Sequence, residues 1–317
     1  MREEWGCVYL GKAIYIFSNG QLSRKDNTVS LETFEGRKYI PVERVNDIYV
    51  FGEVDITKKF LELATQNEII AHFYNYHGYY VGSYYPREHL NSGYMILTQA
   101  KHYLEHDKRI TLARKFIDGS RKNIRRVLNY YNNRKDIDLL DEAIERIDEL
   151  ANKINDIEDI DELMSIEGNI RKCYYQVFDP IINNDDFIFE NRSKRPPKNQ
   201  LNAMISFGNS VLYTVILSEI YRTHLDPRIG YLHATNFRRF SLNLDVAEIF
   251  KPIIVDRAIF SLIANKEITI NNFAKEGNGI ILNESGRKTF VKELDAKLET
   301  TITTKSLKRP ISYRSII

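Results

Sequence analysis

"YYPREHLN", residues 84–91, is where the pattern of this chain changes. Before it, short apolar or β-branched runs recur at 8–10, 13–17, 28–31, 39–41, 48–51, 69–74 and 79–83. Turn signals separate them: Ser18-Asn19-Gly20, Asp26-Asn27, Glu35-Gly36 and His77-Gly78. One helix interrupts the strands, with Asp55 as its expected cap and Ile56, Phe60, Leu61 and Leu63 on its inner side. After the stretch the period becomes helical, and Ile110, Ala113, Ile117, Ile124 and Leu128 mark one face of a long helix. The reading is α+β in two domains: a small β-sandwich-like domain over 1–85, a linker at 86–89, and an all-α domain over 90–317.

The bulk properties narrow the class. The chain has 317 residues, long enough for two domains, with 43% hydrophobic and 28% charged residues, a soluble globular composition. Its two cysteines, Cys7 and Cys173, lack CxxC spacing, which points away from a disulfide framework or zinc ribbon and toward a reducing cytoplasm. The start, MREEWGCVYLGK, has no apolar secretory core, and no apolar run is expected to span a bilayer. The 20 tyrosines can pack in a core or stack on bases.

The net charge of +2 hides a segregation. Residues 108–126 hold eight bases (Lys108, Arg109, Arg114, Lys115, Arg121, Lys122, Arg125, Arg126) against Asp118 alone. Residues 136–162 hold twelve acids against Arg146 and Lys153. A charge run on a helix is either a solvated face or a track for phosphates. "NRSKRPPKNQ", 191–200, is a second basic segment, stiffened by Pro196-Pro197.

Two segments could carry chemistry. In "ELMSIEGNIRKCYYQVF", 162–178, the residues Leu163, Ile166, Ile170, Tyr174 and Val177 form an apolar stripe, with Glu167 in it or at its edge. A buried carboxylate costs several kcal/mol unless it is paired or bound to a metal. Arg171 at i+4 offers a salt bridge, and Gly168 leaves room beside Glu167. In "YLHATNFRRFSLNLDVAE", 231–248, the residues 245–248 fit a capping box with Asp245 as N-cap and Glu248 at the third helical position. Asp245 and Glu248 also share a face, and Pro252 should break the helix by denying the Glu248 carbonyl its amide partner. His233 is either a satisfied core residue or a ligand. Arg238 and Arg239 are either surface charges or phosphate contacts.

One imidazole with two or three carboxylates from separate helices suits Mn²⁺ or Mg²⁺ better than zinc. Such an ion can polarise a phosphodiester while arginines hold phosphates. No GxGxxG, Walker loop, HExxH or GxSxG is present. The residues alone leave a metal-dependent nucleic-acid enzyme open beside a helix-capping, salt-bridged scaffold.

At these residues the chain resembles the CRISPR-associated adaptation integrase family, the first and near-universal Cas protein. The matching motifs are "IEGNIRKCYY" (166–175), "RPPKNQLNAMISFGNSVLY" (195–213), "YLHATNFRRFSLNLDVAEIFKPIIVDR" (231–257), "RKYIPVERVNDIYVFGEVDIT" (37–57) and "HGYYVGSYYP" (77–86). "THLDPRIGYLHATNFRRFSLNLD" (223–245) is similar to the type I-B branch.

The resemblance implies an N-terminal β domain that dimerises and a helical domain that carries the metal site. It implies Glu167, His233 and Glu248 as ligands of Mn²⁺ or Mg²⁺, with Asp245 coordinating or orienting beside them as a fourth catalytic residue. It implies that the 3′-hydroxyl of a captured DNA fragment, the prespacer, attacks a phosphodiester at the edge of a CRISPR repeat, inserting a new spacer. The partners it implies are double-stranded DNA, a second copy of the chain, and the small ferredoxin-like second adaptation protein, with no membrane. Arg121, Arg125, Arg192, Lys194, Arg195 and Lys198 become candidate DNA contacts, with Arg238 and Arg239 nearer the scissile phosphate. Family members commonly continue with a helical tail after a segment like "KRPISYRSII". Two rival readings are a non-catalytic DNA-binding scaffold and a general metal-dependent nuclease for branched or repair DNA.

Overall fold

Two sheets of short strands face each other at the start of the chain. A computed structural model describes all residues except 1, 5–6, 87–89, 91, 136, 236–239 and 304–308, and does not describe the side chains of residues 2–4 and 9. The chain forms two compact units, Met1–Leu90 and Asn91–Ile317. Most of the expected linker, 87–89, lies outside the described residues.

In the first unit, strands β1 (Arg2–Glu4), β2 (Cys7–Leu10) and β3 (Ala13–Ile16) lead into β4 (Gly20–Lys25), β5 (Thr28–Thr33) and β6 (Gly36–Pro41). Then come β7 (Asp47–Val50), β8 (Val54–Ile56), helix α1 (Lys58–Gln66), β9 (Ile70–Tyr74) and β10 (Tyr80–Tyr84). One sheet has the order β1-β2-β3-β7-β9-β10 and the other β6-β5-β4-β8. Pairing is parallel for β3–β7, β7–β9 and β4–β8, and antiparallel elsewhere. Ile14, Ile16, Ile48, Val50 and Ala71 from the first sheet meet Leu22, Val29, Leu31 and Ile40 from the second, with Phe60, Leu63 and Ala64 of α1. The alternate residues of the first sheet form an aromatic ladder, Tyr15 stacking on Tyr49 at 4.7 Å and Tyr49 on His72 at 5.2 Å. Strands β3 and β7 are therefore buried on both faces, which is why their sequence reads as continuous apolar runs.

Two corrections follow in this unit. Asp55 lies in β8 and caps nothing; Thr57 caps α1, accepting from the Phe60 amide at 3.3 Å. Strand β4, "GQLSRK", escapes a reading by hydrophobic pattern because only Leu22 in it is buried.

The second unit is helical: α2 (Gly93–Leu104), α3 (His106–Asn132), α4 (Asp138–Asn152), α5 (Ile160–Gln176), α6 (Phe178–Ile182), α7 (Gln200–Tyr221), α8 (Leu242–Lys251), α9 (Arg257–Ala264), α10 (Glu284–Glu299) and α11 (Tyr313–Ile316). It is not purely α: β11 (Phe273–Glu276) pairs with β12 (Gly279–Leu282), and β13 (Thr301–Ile302) with β14 (Ile311–Ser312). Helix α3 buries Ile110, Ala113, Ile117, Ile124 and Leu128, the face its spacing predicts. Helix α7 runs through the core, packed by α8, α10 and β12. By length and composition it could cross a membrane, contrary to the sequence expectation, but 78% of its most apolar window is buried inside the unit, as in a core helix. A side chain at Gly208 would meet Val255 Cγ1 at 2.6 Å and the Phe290 ring at 2.8 Å, so only glycine lets these neighbours so close.

Candidate metal and nucleic-acid site

The site grows from α5 and α8, with a turn at 230–233 between them in space. Asp159 caps α5 through the Glu162 amide at 2.9 Å, and Leu163, Ile166, Ile170 and Tyr174 are buried. That stripe carries Glu167 into the interior, with its side chain 15% exposed. Gly168 is exposed and a side chain there would meet nothing within 4 Å, so no close contact requires the glycine.

Helix α8 starts earlier than the capping-box reading places it. Its first residue is Leu242, and Asp245 lies inside the first turn rather than at the cap. The residue before the helix, Ser241, turns its hydroxyl away from the helix. It donates to the Arg228 carbonyl at 2.7 Å and accepts from the Gly230 amide at 2.8 Å. Asp245, with no exposed surface, spends both oxygens on the 231–233 turn. Oδ2 accepts from the amides of Tyr231 (2.6 Å) and Leu232 (3.0 Å), and Oδ1 accepts from the His233 amide (2.9 Å). Oδ1 also meets His233 Nδ1 at 2.8 Å. A carboxylate can only accept, so Nδ1 carries a hydrogen, and Nε2 is the ring nitrogen left to face a ligand. Asp245 thus orients His233, and each of its oxygens already accepts two hydrogen bonds. A side chain at Gly230 would meet the Ser241 backbone at 2.7 Å and Asp245 Oδ2 at 2.8 Å, so glycine allows the turn to sit this close. From α3, Arg109 Nε donates to the Tyr231 carbonyl at 3.0 Å and braces the same turn.

Glu248, 6% exposed, lies one turn beyond Asp245. Pro252 ends the regular helix as expected, and a π-helical turn, Pro252–Asp256, joins α8 to α9. Asn123 of α3 donates to the Ile249 carbonyl at 2.8 Å, satisfying one acceptor where the ladder is disturbed.

Two cations balance the buried acids. Arg171 Nη2 is 2.5 Å from Glu248 Oε2, and its Nε is 3.5 Å from Glu167 Oε1. Lys251 pairs with the other Glu248 oxygen and lies 5.0 Å over the Tyr213 ring. Burial works to raise the Glu248 carboxyl, but Lys251 and Arg171 outweigh it and hold it down at about 2. Glu167 goes the other way: burial first, and then the charge of Glu248, push it up. Behind them Asp256, on the π turn, is pushed up to about 7 by burial against the opposing pull of Arg171 and Lys251.

Glu167, Glu248 and His233 therefore share one electrostatic neighbourhood, since each of the two acids feels the other residues' charges. As they stand, no three histidine, cysteine or acidic groups among the described residues converge closely enough to hold one ion. The donor chemistry nonetheless fits a divalent cation: two mutually repelling buried carboxylates and an imidazole oriented through its far nitrogen. Sequence reasoning missed Lys251 and Asp256. Lys251 had one usable signal, its place at i+3 from Glu248.

The candidate DNA contacts divide. Arg121 pairs with Asp118 at 2.9 Å and Asp148 at 3.5 Å, and Arg125 with Asp148 at 2.6 Å. One acid of α4, Asp148, thus meets two arginines of the basic run on α3. Arg192 is built into the fold, bonding Asn202 Oδ1 at 2.8 Å, Ser206 Oγ at 3.0 Å and the Ser193 carbonyl. Lys194, Arg195 and Lys198 are exposed on the same loop. That loop is held rigidly: the Ile280 amide donates to the Pro197 carbonyl at 2.9 Å, and Asn202 Oδ1 accepts from the Ser193 amide at 3.0 Å. Lys194 lies within the field of the site. Partial burial and the charges of Arg192 and Lys251 lower its ammonium pKa against the pull of Glu248 and Glu167. Arg238 and Arg239 lie outside the described residues.

The family model described as CRISPR associated protein Cas1 matches residues 14–296. A relative in Thermodesulfovibrio yellowstonii, CRISPR-associated endonuclease Cas1 2, is 59% identical, covering 96% of this chain and 92% of its own. CRISPR-associated endonuclease Cas1 of Thermotoga maritima is 49% identical, covering 96% and 93%. A solved CAS1 protein from Thermotoga maritima matches with a TM-score of 0.83 at 48% identity, covering 95% of this chain and 92% of that one. Two more distant structures share the fold alone. A casposase bound to integration product has a TM-score of 0.82 at 18% identity, covering 95% and 87%. A Cas6-RT-Cas1–Cas2 complex has 0.81 at 17%, covering 99% of this chain and 34% of that one. With the family model matched over residues 14–296 and these relatives covering 96% of its length, the chain belongs to the Cas1 family of CRISPR-associated endonucleases.

Proposed function

We propose that this chain inserts new spacers into a CRISPR repeat array by cutting and joining DNA at a centre where Glu167, Glu248 and His233 hold Mn²⁺ or Mg²⁺. The observation that carries the reading is the buried pair Glu167 and Glu248, brought from separate helices beside a histidine that Asp245 orients. When bound, the cation polarises the phosphodiester and eases ionisation of the attacking hydroxyl. The 3′-hydroxyl oxygen of the incoming fragment bonds to phosphorus as the bond from phosphorus to the repeat strand's own oxygen breaks. One ester replaces another and no water is consumed. Asp245 fixes the His233 ring, Lys251 balances Glu248, and Lys194, Arg195 and Lys198 meet phosphates from a rigid loop. Arg121, Arg125 and Arg192 play supporting parts, because their donors are already engaged.

The fold shared with a casposase bound to integration product supports strand transfer, and the endonuclease names of the relatives support cleavage. The fold shared with a Cas1–Cas2-containing complex supports the small second adaptation protein as partner, joining two dimers of this chain. The wording of residues 223–245 favours the type I-B branch, working in the cytoplasm.

The test is a strand-transfer assay with a short duplex bearing 3′-hydroxyls, a supercoiled plasmid carrying leader and repeat, the small partner, and Mn²⁺ or Mg²⁺. Joined products should form with wild type and vanish with Glu167→Ala and His233→Ala. DNA binding without joining or cutting in wild type would replace this reading with a scaffold. Cutting without joining would leave a nuclease of other purpose.

A further inference from the structure

Arg171 holds two acids that, under the proposed function, must both turn to a metal ion. The inference below rests on that reading. Its guanidinium bridges Glu248 at 2.5 Å and Glu167 at 3.5 Å, and its side chain is only 11% exposed. An arriving divalent cation would take both partners and stand as a like charge beside it. A buried cation left without a partner is strongly disfavoured. Water is not an easy refuge for so enclosed a group, so the charge needs another acid.

The site provides one. Asp256 is 1% exposed, and its Oδ2 has no hydrogen-bond partner among the described residues. Arg171 Nη1, buried too, has none either. The two groups already act on each other's charge. Asp245 cannot serve in its place, because the 231–233 turn occupies both its oxygens. Tyr174, one turn beyond Arg171 on α5, brings its buried hydroxyl toward Asp256. A donor and an acceptor left open in one buried cluster are costly as they stand and complementary if brought together.

We propose that Asp256 is a positioning residue that receives the Arg171 guanidinium when a divalent cation displaces it from Glu167 and Glu248. Arg171 is then the resident cation of the metal-free site, and Asp256 its second berth.

Mn²⁺ binding to the full chain, followed by the paramagnetic resonance of the free ion, tests this without any DNA chemistry. Asp256→Asn should raise the Kd about tenfold, and Arg171→Met, which removes the competitor, should lower it about fivefold. In the Arg171→Met background, Asp256→Asn should change the Kd by less than about twofold, because there is no guanidinium left to receive. An unchanged Kd for Asp256→Asn, or an equal penalty in both backgrounds, overturns the proposal while wild-type binding that is lost in Glu167→Gln leaves the metal reading standing. Wild type that binds no Mn²⁺, or binds it equally well as Glu167→Gln, sinks both. If a variant does not fold, nitrogen-15 resonances of the wild-type arginines decide. Saturating Mg²⁺ should shift the Arg171 Nε–H signal, and a signal that stays put refutes the transfer.

Discussion

Helices α3 and α8 both carry charges at helical spacing, and they treat them in opposite ways. On α3 the charges stay near the surface. Lys108 pairs with Glu105 at 2.6 Å, Lys122 with Asp118 at 2.6 Å, and Arg125 with Asp148 at 2.6 Å. Each keeps much of its hydration, so each pair contributes little. On α8, Asp245, Glu248 and Lys251 are all buried, and every one needs a named partner from another turn or helix. A large number of charges on one helix is therefore a weak sign of function. A few charges that a fold encloses and then compensates are a strong one, because hydrophobic residues would fill the same space at lower cost.

Breaking a buried charge should do the most damage. Asp245→Ala strips three backbone amides and the His233 ring of their acceptor. It should cost about 3–5 kcal/mol in urea unfolding. A loss below about 1 kcal/mol would mean that water or another group takes over the turn.

A second test uses pH. Burial raises the Asp256 carboxyl to about 7, so between its unfolded value near 4 and about 7 the folded chain keeps a proton that the unfolded chain has released. Stability from this group is therefore greatest at low pH and falls as pH rises through that window. Relative to Asp256→Asn, wild type should lose on the order of a few kcal/mol between pH 4 and pH 7 and then level off. Parallel stability curves for the two proteins would show that Asp256 is ionised throughout.

The smallest effect belongs to the surface. Asp148→Asn removes the partner of Arg125 and the more distant of the two partners of Arg121, yet it should change unfolding free energy by less than about 1 kcal/mol, and less again in high salt. A larger, salt-insensitive loss would erase the contrast between the two helices.

Much of this was legible in the sequence, and the exceptions share a cause. The change of period at 84–91, the inner face of α3, the stripe that carries Glu167 and the break at Pro252 are local patterns, and local patterns survive into the fold. Strands β4 and β8 were hidden because they turn few side chains inward. Asp245 looked like a cap because a cap and a turn-binding acid have the same spacing. What distinguishes them is the backbone of residues 231–233, which has no side-chain signature. Arg121 and Arg125 looked like free phosphate ligands because Asp148 is distant in sequence. Lys251 and Asp256 look like ordinary surface charges until tertiary packing encloses them.

Helix α7 has a consequence for how the chain is made. It is apolar on nearly every side, and most of its cover comes from elements later in the sequence, chiefly α8 and β12, with α10 beside them. During synthesis a segment that could pass for a membrane span leaves the ribosome before the last of the residues that will enclose it, Glu284–Glu299, exist. Nascent chains halted before α10 should therefore expose part of this apolar helix and be sticky.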